Sequence, residues 1–234
     1  MKKITLLLVA FAASLSLAHA QVRPGGAMSS TDYFRSSSDS RNNGFGVKGG
    51  FNLTNVHGDD KGGIPGRENL NTFHAGVYAQ FGLNSKVAIQ PELLYSRQGY
   101  RYDLTTSGVA GNVTEQRVNR LDYLKLPVLL TYNIVDNVSV HVGPQVALLT
   151  KVKNAGVDQS IDTYGYHSLD YGVVGGIEFR VGPARVGGRY DLGLAKIRKD
   201  GYPTRNGTSE PFNVPSGDVR NQAFQVYVGL GISN

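Results

Sequence analysis

The chain has 234 residues and a formal net charge of +6, and it contains no cysteine. Without cysteine no disulfide can stabilise the fold, and a lipoprotein anchored through cysteine is excluded. Lysines and arginines are spread along the chain and mixed with acids, whereas a nucleic-acid binder concentrates them on one face or in runs. We therefore predict no nucleic-acid partner.

The first 20 residues predict a secretory signal peptide. Lys2 and Lys3 precede an apolar run over residues 4–17, and Ala18-His19-Ala20 supplies small residues at the expected cleavage site. The apolar run is shorter than the ~20 residues of a membrane-spanning helix. Residues 21–43 are rich in Ser, Gly, Asn and Asp without an apolar period, which predicts a flexible lead-in.

From Gly44 onward the sequence predicts eight β-strands, because apolar and polar residues alternate with a period of two. The clearest alternation lies in residues 120–132, where Leu124, Leu126 and Val128 share one face and Tyr123 and Lys125 the other. The predicted strands span residues 44–54, 73–83, 87–100, 120–132, 138–150, 169–180, 184–195 and 222–232. Each is close to the ~9–11 residues that a tilted membrane strand needs.

The predicted connections alternate between short and long. Tight turns are expected at residues 84–86, 136–137 and 182–183, and long polar loops at residues 55–72, 101–117, 151–168 and 196–221. Short periplasmic turns and long extracellular loops are typical of an outer-membrane barrel. We predict that residues 44–234 form an all-β, eight-stranded, antiparallel up-and-down transmembrane β-barrel.

The distribution of charge predicts which face of the barrel is inside. The apolar faces carry no charged residue, so they are expected to contact lipid, and the charged faces are expected to line the lumen. An eight-stranded lumen is only wide enough for side chains to fill it, so the charges should pair with one another. Two pairings follow from the turns: Glu178 opposite Gly187, between Arg185 and Arg189, and Tyr78 opposite Glu92. The predicted lumen charge network comprises Lys48, Glu92, Lys125, Glu178, Arg180, Arg185, Arg189 and Asp191.

The longest predicted loop, residues 196–221, is the candidate partner-binding loop, because it combines cations, aromatic residues and three prolines. We predict that it contacts an anionic partner, either lipopolysaccharide phosphates or an acidic patch on another envelope protein. Outer-membrane lipid is a further expected partner. The alternative recognition surface is the lead-in at residues 21–43. The candidate contact residues of the loop are Lys196, Arg198, Lys199, Tyr202, Arg205 and Phe212.

Four phrases of the sequence resemble the PorT-like outer-membrane β-barrel proteins of Gram-negative bacteria. They are GVKGGFNLTNV from Gly46, FHAGVYAQFGL with VAIQPELLYSRQGY from Phe73, LDYLKLPVLLTYNI with VSVHVGPQVALLT from Leu121, and LDYGVVGGIEF with GGRYDLGL from Leu169. The resemblance covers nearly all of the predicted barrel. It implies an outer-membrane location and a non-enzymatic surface barrel, with a minority of such proteins serving protein secretion or nutrient uptake.

No catalytic, cofactor or metal site is predicted. Residues 44–49 match G-x-G-x-x-G, but a strand runs through them where a dinucleotide site needs a helix N-terminus. His74 and His141 have no zinc-ligand spacing and are expected to form hydrogen bonds in the lumen. The favoured function is a non-catalytic interaction scaffold, including an accessory role in secretion or uptake. The alternative is a narrow passive channel, followed by an enzyme whose site is assembled from distant strands.

Overall fold

The computed structural model describes residues 43–108, 111–200 and 217–232. The predicted signal peptide and nearly all of the predicted lead-in therefore lie outside the described residues. A 3-10 turn covers Asp59–Gly63. The described residues include no helix that is long and apolar enough to span a membrane. The strands are β1 (Gly44–His57), β2 (Glu68–Gly82), β3 (Val87–Gly108), β4 (Gly111–Val135), β5 (Val138–Asn154), β6 (Val157–Gln159), β7 (Leu169–Val181), β8 (Ala184–Gly193) and β9 (Arg220–Ile232).

Eight of these strands form a closed antiparallel ring. Each pairs with the next along the chain, with β5 passing directly to β7, and β1 pairs with β9 to close the ring. The closing register runs from Phe45 opposite Ile232 to His57 opposite Arg220. The short strand β6 pairs with the end of β5 as an addition to the ring. The predicted eight-stranded up-and-down barrel is confirmed.

The three predicted tight turns are confirmed at one end of the barrel, between β2 and β3, β4 and β5, and β7 and β8. Gly182 occupies the last of these turns with φ 59°, a left-handed conformation that glycine adopts without a steric penalty. The other end carries the longer connections, and we call it the long-loop end.

One predicted loop is largely strand and another is shorter than predicted, so the bounds predicted for both loops are wrong. Residues 101–117 form a β-hairpin, with β3 and β4 paired from Tyr100 opposite Asn119 to Gly108 opposite Gly111. In the region predicted as the loop at residues 55–72, β1 extends to His57 and β2 begins at Glu68, so the connection is shorter than predicted. The polar composition indicated a loop, but cross-strand pairing and the burial of Tyr102 and Leu104 stabilise the lower part of the hairpin.

The two faces of the barrel are arranged as the alternation predicts. Outward aliphatic and aromatic residues are exposed, with Phe51 at 75% and Val181 at 74%. Inward residues are buried although many are charged, with Glu92 at 0% and Lys48 at 3%. An apolar exterior around a polar interior suits a barrel surrounded by lipid.

The lumen also contains an apolar part that the alternation along the strands did not predict. This part, which we call the apolar cap, lies at the long-loop end and is formed by residues of four strands, β1, β3, β4 and β5, and of three connections. The apolar cap comprises Val56, Ile64, Tyr100, Tyr102, Leu104, Leu121, Tyr123, Ala147, Leu149, Val152, Tyr166, Ile197 and Val219.

A register shift in β5 contributes to the cap. Tyr123 lies opposite Leu149 but Asp122 lies opposite Lys151, so Thr150 is an extra residue on β5. A bulge of this kind exchanges the two faces of a strand. As a result Val152 points into the cap, and Lys151 changes to the outer face.

Candidate functional site

The lumen charge network has three carboxylates, and Glu92 on β3 is the most buried of them. Its Oε1 accepts a hydrogen bond from Lys48 Nζ of β1 at 2.7 Å, and its Oε2 accepts one from Arg189 Nη1 of β8 at 2.6 Å. Gln90 Nε2 also donates to Oε1 at 2.7 Å. One carboxylate therefore connects three strands across the lumen.

The second carboxylate, Asp191 on β8, is held from the opposite wall. Lys125 Nζ of β4 donates to Asp191 Oδ2 at 2.5 Å, and Gln98 Nε2 of β3 donates to the same atom at 3.3 Å. The Gln145 amide of β5 donates to Oδ1. Asp191 and its partners thus form a second connection through the lumen.

The third carboxylate, Glu178 on β7, lies nearer the short turns. Its Oε1 is 3.2 Å from Arg185 Nη1 and 3.6 Å from Arg180 Nε, and its Oε2 accepts a hydrogen bond from Tyr227 Oη at 3.0 Å. The predicted register, Glu178 opposite Gly187, is confirmed. Tyr78 opposite Glu92 is confirmed too. Arg189 reaches Glu92 and not Glu178, because the lumen is narrow enough for a long side chain to cross it.

Two inward tyrosines fill space next to glycines and lie beneath cations. Tyr227 lies opposite Gly187, and Tyr78 lies opposite Gly46. A Cβ atom at either glycine would overlap the tyrosine ring. Lys48 Nζ is 4.0 Å from the centre of the Tyr227 ring, which is a cation–π distance. The signal in the sequence was an inward tyrosine with a glycine on the neighbouring strand, and it becomes readable only when the register is known.

The two inward histidines lie among polar groups. His74 Nδ1 is 2.6 Å from Asn52 Oδ1, and the His74 and His141 rings both approach the Tyr227 ring, at 6.3 and 6.5 Å between centres. Within residues 43–108, 111–200 and 217–232 there is no group of three or more His, Asp or Glu residues that could hold a metal ion. The lumen arrangement is suited to pairing charge and filling space.

The residues of the candidate partner-binding loop are separated by the structure. Lys196 Nζ pairs with Asp200 at 3.0 Å and Lys199 is partly exposed. Arg198, predicted to contact a partner, is instead 2% exposed, and its Nε donates to the Tyr164 carbonyl at 3.0 Å. Burial lowers the pKa of the Arg198 guanidinium. Tyr202, Arg205 and Phe212 lie outside the described residues.

Hydrogen bonds inside the apolar cap satisfy most of its tyrosine hydroxyls. Tyr102 Oη donates to Asn154 Oδ1 at 2.7 Å, and Asn221 Nδ2 donates to Tyr123 Oη at 2.9 Å. Burial raises the pKa of the Tyr166 phenol to about 12, against the opposing effect of nearby Arg198. The cap thus closes the long-loop end of the lumen with neutral side chains.

Comparisons with solved structures find barrels of similar length and low similarity. Ail of Yersinia pestis, solved with the heparin analogue sucrose octasulfate, is 13% identical over 81% of this chain and 99% of that chain, with a TM-score of 0.44. Neisserial surface protein A (NspA) is 15% identical over 80% of this chain and 97% of that chain, with a TM-score of 0.45. OprG from Pseudomonas aeruginosa is 11% identical over 82% of this chain and 97% of that chain, with a TM-score of 0.37.

The chain matches one protein family over most of its length. No curated protein matches the chain. The family model described as outer membrane protein beta-barrel domain matches residues 25–199, which is well over half of the chain. It agrees with the closed ring of β1–β5 and β7–β9 and with the apolar outer face of the barrel. The chain therefore belongs to the outer membrane protein beta-barrel domain family.

Proposed function

We propose that the protein is a non-catalytic interaction scaffold of the outer membrane, within the narrower PorT-like group that its four phrases resemble. The observation that carries the proposal is the filled lumen. Three carboxylates with their cations occupy its middle and the side near the short turns, and the apolar cap occupies its long-loop end. A passive channel needs a continuous polar path. The surfaces that remain for specific contacts are the connections at the long-loop end.

The β3–β4 hairpin is the part of that end with the most exposed strand. Its tip region, Thr105, Thr106 and residues 111–116, is exposed, with Val113 at 68%. β3 and β4 stay paired with each other from the barrel wall to the end of the hairpin. Loops and hairpins on a rigid scaffold are common sites of binding. We therefore propose that this hairpin, together with the connection between β8 and β9, carries the partner contacts, including any role in secretion or uptake.

Conductance separates the scaffold from the channel. Purified protein inserted in a planar bilayer should show negligible conductance, because charges and the cap fill the lumen. A known porin, inserted in the same bilayers, serves as the positive control. Steady ohmic conductance of the wild-type protein would contradict the scaffold proposal and favour the passive channel.

Site-specific photo-crosslinking tests where the partner binds. A crosslinking amino acid at Val113 should give a discrete adduct on intact cells, because this side chain is exposed at the hairpin tip. The matched control places the same group at Val181, which is 74% exposed beside the short turns. An adduct at Val181 but not at Val113 would move the recognition surface to the short-turn side.

A further inference from the structure

The outer wall of the barrel changes from apolar to cationic at one level on three neighbouring strands. On β4 the outward residues from Ile134 to Leu124 are apolar, over a length close to the ~9–11 residues that cross a membrane. The next two outward residues are Asp122 and Arg120. On β3 the outward residues are likewise apolar up to Tyr95, and the outward residues beyond it include Arg97 and Arg101. The change therefore marks the upper boundary of the lipid-facing wall.

The strand registers place the change from apolar to charged residues at the same level on β3, β4 and β5. Tyr95, Leu124 and Leu148 form one apolar row across β3, β4 and β5. In the following row Arg97 lies opposite Asp122, and Asp122 lies opposite Lys151. One row further, Arg120 lies opposite Lys153. The bulge at Thr150 is what brings both lysines to the outer face. The resulting outer-wall cluster comprises Arg97, Arg101, Arg120, Lys151 and Lys153.

Acidic residues near the outer-wall cluster contact its cations and orient them. The acids are fewer than the cations. Asp122, with a side chain 6% exposed, accepts a hydrogen bond from Arg97 Nε at 2.9 Å and lies 3.7 Å from Arg120 Nε. Asp158, 60% exposed, lies 2.9 Å from Lys151 Nζ and 3.2 Å from Lys153 Nζ.

A third acid, Glu68, lies opposite Arg101 and accepts a hydrogen bond from Gln116. A fourth acid, Asp103, follows Arg101 on the outward face of β3. Five cations thus face four acids. By contrast, the outward cation Arg220 at the start of β9 is matched by Asp218 at 2.6 Å. The excess of positive charge is therefore a feature of the β3–β5 wall.

We propose that the outer-wall cluster binds the phosphate groups of a phosphorylated lipid of the outer leaflet, whose acyl chains lie on the apolar row beneath it. Arginine and lysine recognise phosphate oxygens through charge-assisted hydrogen bonds. The long-loop end of such a barrel faces the exterior, so the cluster lies at the head-group level of that leaflet. The Phe73 ring, 5.0 Å from the Arg97 guanidinium, holds this cation at the boundary. The inference does not depend on the proposed scaffold function.

Binding of diphosphorylated lipid A in detergent micelles, measured by native mass spectrometry, tests the proposal. The variant R120Q/K151Q/K153Q keeps Arg97 and its contact with Asp122, and it should bind lipid A at least about tenfold more weakly than the wild type. The control variant K61Q/K86Q/R220Q removes the same charge elsewhere and should bind like the wild type. A heat-dependent gel shift in both variants checks that each barrel is folded.

Two further probes separate a site for a phosphorylated lipid from a site that takes acyl chains alone or phosphate alone. Dephosphorylated lipid A should bind the wild type as weakly as lipid A binds R120Q/K151Q/K153Q. Inorganic phosphate should fail to displace lipid A, because it lacks acyl chains. Equal weakening in both triple variants, equal binding of the dephosphorylated lipid, or displacement by inorganic phosphate would each overturn the proposal.

Discussion

At the scale of single residues, Glu92 shows how much stability depends on one buried group. Its carboxylate lies between Lys48 and Arg189 and is fully buried. Replacing Glu92 with Gln keeps the shape but leaves two buried cations without their counter-charge. We expect the free energy of unfolding to fall by ~3–5 kcal/mol, as is typical when one partner of a buried pair is removed.

Urea unfolding in detergent, followed by tyrosine fluorescence, measures this change. The matched control is Glu115→Gln, which removes a carboxylate that is 65% exposed and pairs with Arg117 at the hairpin. An exposed pair contributes at most about 1 kcal/mol, so the control should unfold close to the wild type. Equal unfolding midpoints for the wild type and Glu92→Gln would show that the network does not stabilise the barrel.

Adjacent glycines on β8 allow a second test of how the lumen is packed. Gly187→Ala would place a methyl group against the Tyr227 ring, whereas Gly188→Ala would meet Phe224 Cζ at 3.8 Å, an ordinary contact. Overpacking typically costs about 1–3 kcal/mol, so only Gly187→Ala should lower the unfolding midpoint in urea clearly. If both variants unfold alike, the close packing of Tyr227 on Gly187 is not required.

At the scale of elements, the apolar cap connects strand ends to the connections above them. Ile197 N donates to the Val219 carbonyl at 2.9 Å, and Tyr166 N donates to the Ile161 carbonyl at 2.9 Å, so backbone hydrogen bonds hold the cap's loop residues. The bulge in β5 supplies Val152 to this cluster and the two lysines to the outer wall. One extra residue thus serves the inside and the outside of the barrel.

The cap should be sensitive to alkaline pH through Tyr166. Burial raises its pKa from the ordinary value of 10.0 to about 12. A raised pKa in the folded state means that the phenol's contribution is fully present below pH 10 and is lost as the pH rises towards 12. This shift in pKa corresponds to a contribution of about 2–3 kcal/mol to the free energy of unfolding.

Titration followed by tyrosinate absorbance should show a late transition near pH 12 in the wild type that is missing in Tyr166→Phe. The unfolding midpoint of Tyr166→Phe should also change less between about pH 9 and pH 11 than that of the wild type, because only the wild type carries the phenol with the raised pKa. Loss of one tyrosinate from the transition near pH 10 in Tyr166→Phe, and not from the late transition, would place the Tyr166 phenol in contact with water.

At the scale of the whole molecule, closure of the ring by β1 and β9 leaves no free edge among the eight barrel strands. Breaking the barrel requires many cross-strand hydrogen bonds to open together. We expect the protein to migrate on a detergent gel at different positions before and after boiling, with circular dichroism typical of β-structure. Equal migration together with a helical spectrum would contradict the fold.

The sequence alone determined the architecture and the orientation of its faces. The period of two and the absence of charge on one face are local properties of each strand, so they could be read without knowing any partner strand. The tight turn at Gly182 additionally predicted the opposition of Glu178 and Gly187, because a short turn sets the register of its hairpin.

The tertiary structure decided which inward groups meet, where strands end and what lies at the boundary of the membrane. Arg189 contacts Glu92 across the lumen, Arg198 is buried beneath the connection between β5 and β7, and the β3–β4 strands continue into a hairpin. The first two contacts join residues far apart in sequence, and the polar composition of the hairpin resembles that of a solvated loop. The outer-wall cluster is likewise visible only after three registers and one bulge bring its cations into neighbouring rows, because local alternation carries no information about the alignment of strands.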